Sequence, residues 1–360
     1  SKPSGNFTSA CGQVIYRADA FPSEYHGNHF CCDPQQNMVH RSIIERDGPG
    51  VKVRRPSAQE NSEFVSSSDG WFRPNNLRVG PDGALYIIDM YREIIEDYSA
   101  IPRYLQQQYG LSNGSNRGRI WRLAPIDLAV SSMPYLAQRA SNELETLLSH
   151  PNHWWRETAQ RLLVERRATI DATPPSPSSF QHRMHVLRTT AALGKLSPKA
   201  LMLWLDDPHP AVRLQALQLA DQHLKEHSSL LNRVFDMAVT ETDPNVLLQL
   251  AMTIGESDDV RVQGVLRSLA AAHPRLRWID HAILSSIASP PGPFLREVLK
   301  ASPKPASTAL IDGALQTVAR SKDRDGILLI RDLMKSHPDA SLRLKMIAVA
   351  ADHQLAANNE

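Results

Sequence analysis

A chain of 360 residues is long enough for two domains, and its 42% apolar and 22% charged residues are those of ordinary globular protein. A net charge of +2 gives no electrostatic case for nucleic acid or an anionic membrane as partner. No apolar run reaches the roughly 18 residues needed to span a bilayer. The start, SKPSGNFTSACG, has neither the basic nor the apolar segment of a signal peptide, and the lack of an initiator Met leads us to expect a mature or truncated piece.

Residues 1–125 read as all-β. Short strands are expected at Cys11–Tyr16, Asn28–Cys32, Met38–Ile44, Val51–Arg54, Glu63–Ser66, Leu77–Val79, Ala84–Met90 and Gly118–Leu123. Turn chemistry separates them at Tyr25-His26-Gly27-Asn28, Asp47-Gly48-Pro49-Gly50 and Pro81-Asp82-Gly83. Many short strands at that spacing suggest a propeller, sandwich or barrel. Glu93–Tyr109 is too long for a turn and carries Pro102, so an ordered insertion with short helical turns is expected there, where function commonly sits.

Cys11, Cys31 and Cys32 all fall early, with no CxxC and no CxxCH haem signature. Adjacent strand residues point to opposite faces, so only one of Cys31 and Cys32 easily meets Cys11. Cys11–Cys32 is the favoured disulfide, in an oxidising compartment, with three unpaired buried thiols as the alternative.

After Pro125 strand signals stop and a helical period runs to the end. Arg follows Pro by five residues at Pro151/Arg156, Pro208/Arg213 and Pro338/Arg343, with weaker copies near Pro244, Pro274 and Pro303. Paired helices with Pro at the turn and an inner Arg are the pattern of a HEAT-type α-solenoid. We therefore expect a β-domain of propeller, sandwich or barrel type over 1–125, a HEAT-like solenoid over 126–355, and a frayed tail at 356–360. Ala172–Ser179 is an inter-helix loop or insertion, and the histidines beside the prolines (His150, His209, His273, His337) read as turn caps.

The run FRPNNL…GPDGALYIIDMYR, then GRIWRL, resembles the "membrane-bound dehydrogenase" proteins of planctomycetes and verrucomicrobia. The match extends through SACGQVIYRADAFPSEYHGNHFCCDPQQNMVHR upstream and HPNHWWRETAQRLL and DDPHPAVRLQAL downstream. Such proteins join a propeller of the quinoprotein glucose/sorbosone dehydrogenase type to HEAT-like repeats, often with a c-type cytochrome module. The resemblance implies that this chain is the C-terminal portion, with a partial β-propeller of the last two to three blades. The earlier blades would come from the same precursor or another chain. It further implies a periplasmic sugar or alcohol oxidoreductase that passes electrons to a cytochrome, with pyrroloquinoline quinone and calcium as cofactors. Membrane association would come through other parts of the protein.

Arg73 matches the arginine before the PDG turn that would hold a cofactor carboxylate; the alternative is that it bonds loop carbonyls or packs on Trp71. The lysine position departs from the pattern, because the loop after Asn28–Cys32 reads DPQQN. Asp89, at the end of the strongest strand, is a candidate base or metal ligand, and Arg92 an anion clamp; together they could instead form a structural ion pair. Among His26, His29 and His40, His29 is the candidate general base. No metal-ligand spacing stands out. The competing reading is a non-catalytic protein- or carbohydrate-binding module, with the helical repeats as its interaction surface.

Overall fold

The computed structural model of the chain describes residues 7–95, 98–108, 110–111, 113–129, 134–173, 178–287, 290–299, 306–321 and 323–353. The expected tail at 356–360 and the repeat copy at Pro303 lie outside the described residues, as does the middle of the Ala172–Ser179 loop. The chain forms two compact units, Ser1–Ile170 and Asp171–Glu360. Antiparallel β-sheet comes first and helices follow.

In the first unit, strands occur at all eight expected places and build two open sheets. The first sheet is a meander of β1 (Cys11–Ile15), β2 (His29–Asp33), β3 (Met38–Asp47) and β4 (Gly50–Arg54), with the short β5 (Val65–Ser66) beside the start of β3. The second is β6 (Pro74–Val79), β7 (Leu85–Asp89) and β8 (Arg119–Leu123). Alternate residues of each strand point one way, and one set from each sheet meets in a common core. Tyr16, Phe30, Cys32, Val39, Leu77, Val79, Leu85 and Ile87 are buried there, with β1 and β2 packed on β6.

The PDG turn joins β6 to β7 as a tight turn closed by Gly83 N–H to the Gly80 carbonyl at 3.0 Å. Gly83 takes φ +78°, and a Cβ there would lie 2.6 Å from the Cβ of Ala20, so both conformation and space demand glycine. Asp82 accepts from Ala84 N (3.1 Å), the Tyr86 hydroxyl (3.1 Å) and Arg122 Nε (2.7 Å), tying the turn to β7 and β8.

The expected Cys11–Cys32 disulfide is not formed: all three cysteines are free thiols. Cys11 and Cys32 do stand opposite each other in the β1–β2 register. That register shifts between Cys11 and Val14, where Gly12 has φ +59°, and an irregularity of this kind re-aims neighbouring side chains. Cys32 enters the core, while Cys31 turns to the other face and donates from Sγ to the Cys11 carbonyl at 3.5 Å. Burial, reinforced by the neighbouring thiols, pushes the Cys32 thiol well up.

The insertion after β7 carries a 3-10 turn (Tyr98–Ala100) and α1 (Arg103–Gln108). Beyond β8, α2 (Ser141–Thr146) and α3 (His153–Glu165) form a helical hairpin anchored on the β-part. Asn152 caps α3 and donates to the Gly80 carbonyl at 2.9 Å, while Trp155 Nε1 donates to the Pro81 carbonyl at 2.8 Å.

The second unit is a two-layered array of helices. One row is α4 (Phe180–Ala192), α6 (Pro210–Ala220), α8 (Pro244–Ile254), α10 (Ile279–Ser285), α12 (Thr308–Ser321) and α14 (Ala340–Asp352), each packed on the next. The other row is α5 (Pro198–Leu205), α7 (Ser228–Thr240), α9 (Val262–Ala272), α11 (Gly292–Val298) and α13 (Arg324–Ser336). Pro198, Pro210 and Pro244 occupy the first turns of α5, α6 and α8, where a missing N–H costs nothing.

The arginines after the prolines act inside their own turns. Arg156 Nη1 donates to the carbonyls of His150 and Pro151, Arg213 to those of Asp207 and Pro208, and Arg343 to those of His337 and Pro338. His150, His209 and His337 accept a backbone N–H two residues on through Nδ1, as turn caps do. Between helices, Arg183 and Arg213 make two-pronged pairs with Asp207 (2.6 and 2.9 Å) and Glu241 (2.8 and 2.8 Å). No helix among the described residues is long and apolar enough to cross a membrane.

Candidate functional site

Arg73, Asp89 and Arg92 lie together where β7 leaves the sheet. Asp89 is 1% exposed. Its Oδ1 accepts from the backbone N–H groups of Arg73 and Tyr91, both at 2.9 Å, and its Oδ2 from Trp121 Nε1 at 3.0 Å. Its cationic neighbour is Arg119, with Nε at 3.9 Å, rather than Arg92. An Asp that bonds the N–H two residues on turns the chain sharply, and Tyr91 follows at φ +49°. Asp89 thus positions the β7 exit, the Arg73 backbone and the Trp121 indole.

Arg92 Nη1 donates to the Gly114 carbonyl, holding the far end of the insertion against the strand exit. A Cβ at Gly114, where φ is +86°, would lie 2.3 Å from the Tyr91 carbonyl oxygen, so only glycine fits that approach. Arg73 grips two other segments: Nε donates to the Arg92 carbonyl (3.0 Å) and Nη2 to that of Glu93 (2.7 Å), while Nη1 donates to that of Pro34 (2.9 Å). The DPQQN loop that supplies Pro34 is itself closed by Asp33, which accepts from Gln35 N (3.1 Å) and Gln36 N (3.2 Å).

Above Arg73 opens a cavity of about 370 Å³, lined on its polar side by Gln35, Arg73 and Glu93 and on its apolar side by residues including Ile94, Ile101 and Leu105. The Glu93 carboxylate accepts from Asn113 Nδ2 at 2.7 Å. Among the described residues no carboxylate pairs with Arg73, and burial alone pulls its guanidinium below the usual arginine range. Among the described residues, one N–H on each Nη has no partner. Such donors can hold an anion.

His29 begins β2, and the DPQQN loop follows the other end of that strand, roughly 13 Å along at a strand rise of 3.3 Å per residue. It is not among the residues lining the cavity, and burial followed by the charge of His40 lowers its pKa. His26 Nε2 contacts the Phe21 carbonyl at 2.9 Å, and His40 Nδ1 the Glu63 carboxylate at 2.7 Å. Among the described residues no group of three or more His, Cys, Asp or Glu is placed to hold a metal ion.

The sequence reading missed Tyr91, Arg119 and Trp121. The Arg119 guanidinium lies 3.7 Å from the centroid of the Tyr91 ring, and Tyr91 donates to Asp69 Oδ2 at 3.0 Å. The pairing of β7 with β8 sets Asp89 opposite Arg119 and Ile87 opposite Trp121. A fixed count between the two strands could have exposed that register only if the length of the intervening insertion were known.

A family model described as a domain of unknown function, DUF7133, matches residues 1–127. No curated protein matches the chain.

Proposed function

We propose that the Arg73 cavity binds the carboxylate of a small ligand, and that the chain is part of a periplasmic quinoprotein-type sugar or alcohol dehydrogenase. In this reading the two sheets are successive blades of a β-propeller and the helical array is a HEAT-type solenoid. A c-type cytochrome takes the electrons. The observation that carries it is a half-buried guanidinium, pinned by three backbone carbonyls, with two free N–H bonds and no carboxylate partner among the described residues. A desolvated, fixed cation of this kind favours a planar anion.

Arg73 fits one carboxylate of pyrroloquinoline quinone. The rest of that cofactor's charge finds no match: the loop reads DPQQN without lysine, and no acidic cluster among the described residues offers calcium a seat. When bound, such a quinone accepts the electrons of the oxidised alcohol. We assign this chain's residues the binding of a carboxylate and no proton-transfer step.

Calorimetric titration of the 360-residue protein with pyrroloquinoline quinone and with citrate tests the reading. Wild type should bind saturably, and Arg73→Gln should weaken binding about tenfold or more, since a charge-assisted hydrogen bond contributes about 1.5–3 kcal/mol. Arg73→Lys, which keeps charge and loses the fork, should fall between. Saturable binding by neither ligand, or equal binding by Arg73→Gln, would refute it.

A second reading, the non-catalytic protein- or carbohydrate-binding module, is favoured by Asp89, whose two oxygens are both committed and buried. Reduction of a dye by the protein with quinone, calcium and a sugar or alcohol separates the two.

A further inference from the structure

Arg41 stands on β3 opposite Phe30 of β2 and is only 6% exposed. Its guanidinium lies 3.9 Å from the centroid of the Tyr25 ring, and Nη2 donates to the Glu24 carbonyl at 2.8 Å. That carbonyl also accepts from Asn28 Nδ2 at 2.6 Å, so both of its lone pairs are taken. Among the described residues, which here run unbroken from 16 to 66, no carboxylate pairs with Arg41. Nε is sealed from solvent without an acceptor, whereas Nη1, also without one, still meets solvent.

A cation taken out of water without a counter-ion is costly to a fold. The Tyr25 ring and one carbonyl offset only part of that cost. Packing alone does not call for a charge here, because an apolar side chain of similar length serves a buried position at least as well. Nor does the Glu24 carbonyl depend on it, since Asn28 already donates there. Two N–H bonds on Nη1 and one on Nη2 have no partner among the described residues. They belong to a guanidinium held flat by the ring and fixed by the carbonyl, at the point where it reaches solvent.

We propose that Arg41 is an anion-binding site whose ligand presents an oxyanion, a carboxylate or a phosphate, to Nη1. Planar, charge-assisted donors favour such groups. The site is separate from the Arg73 cavity, which Arg41 does not line. Arg41 lies three residues, roughly 10 Å, along β3 from Met38, the residue paired with Asp33 beside the DPQQN loop. The inference goes beyond the dehydrogenase reading and holds whatever Arg73 binds.

Nuclear magnetic resonance of the 360-residue protein carrying isotope-labelled arginine tests it, with the Arg41 guanidinium signals identified by their loss in Arg41→Lys. Acetate or phosphate replaces chloride at constant ionic strength. At least one of the two should shift the Arg41 signals saturably. Acetate alone makes the ligand a carboxylate, phosphate alone a phosphate, and both any oxyanion. Drift without saturation for both anions would overturn the proposal. Arg41→Met, followed by hydrogen–deuterium exchange over His29–Asp33 and Met38–Asp47, locates the effect. An anion at about ten times its Kd should raise the protection of these strands about tenfold in wild type and leave Arg41→Met unchanged. An equal gain in Arg41→Met would place the anion elsewhere and overturn the proposal; should that variant not fold, the resonance titration of wild type decides. The Arg41 signals are read by themselves, so neither outcome depends on binding at Arg73.

Discussion

Replacing Asp89 with asparagine changes one oxygen for an NH2 group at a site with almost no solvent. The retained oxygen can still accept the Arg73 and Tyr91 amides, which share Oδ1. The new NH2 then faces Trp121 Nε1, donor against donor. One charge-assisted bond is lost and one indole N–H is left unpaired, a cost of about 2–3 kcal/mol. Asp89→Ala strands all three donors and should cost about 3–5 kcal/mol. For a unit of this size 1 kcal/mol is roughly 2–4 °C, so Asp89→Asn should melt the first unit about 5–10 °C early. Urea titration read by hydrogen–deuterium exchange confines the measurement to Leu85–Asp89 and Arg119–Leu123. Protection in both strands should fall, with that of the helical unit unchanged. If Asp89→Asn and Asp89→Ala both lie within about 0.5 kcal/mol of wild type, the range of an ordinary surface substitution, Asp89 does not organise the strand exit.

Burial pushes the Glu241 carboxyl up, but the Arg213 fork and the Asp243 and Thr242 amides outweigh it and hold it below its usual value. Its contribution is therefore complete above the unfolded carboxylate range and is lost as pH falls through the depressed value. The urea midpoint of the helical unit should hold steady from neutral pH to about pH 5 and drop below about pH 4.5, less steeply in Glu241→Gln. Arg213→Ala leaves Glu241 buried and partly unpaired and should cost about 3 kcal/mol at neutral pH, by the same measurement. Thiol titration without reductant should count three cysteines in denaturant, with Cys11 reacting ahead of Cys31 and Cys32 in the folded protein. A count of one would restore the disulfide.

The features legible in the sequence are those whose cause is local. Pro81, Asp82 and Gly83 make a turn by their own chemistry, and the Pro-to-Arg spacing marks the entries of α3, α6 and α14. What lay out of reach depends on distant pairing. Asp89 is saturated by Trp121, 32 residues away across an insertion whose length carries no rule. Arg73 could be placed before the PDG turn, but its grip on Pro34, 39 residues upstream, needs the two sheets to be packed. Strand alternation places Cys31 and Cys32 on opposite faces as expected, but the irregularity at Gly12 lies in β1, beside Cys11, where spacing along β2 gives no sign of it.

Arg156, Arg213 and Arg343 each hold carbonyls five and six residues behind them. Such a ring closes with almost no chain to gather in, so its entropic cost is that of a single turn. A helix entry braced in this way needs no neighbour to form it. In the helical array, the Arg213 and Arg343 turns are therefore places where structure can start locally, ahead of the packing of one helix on the next.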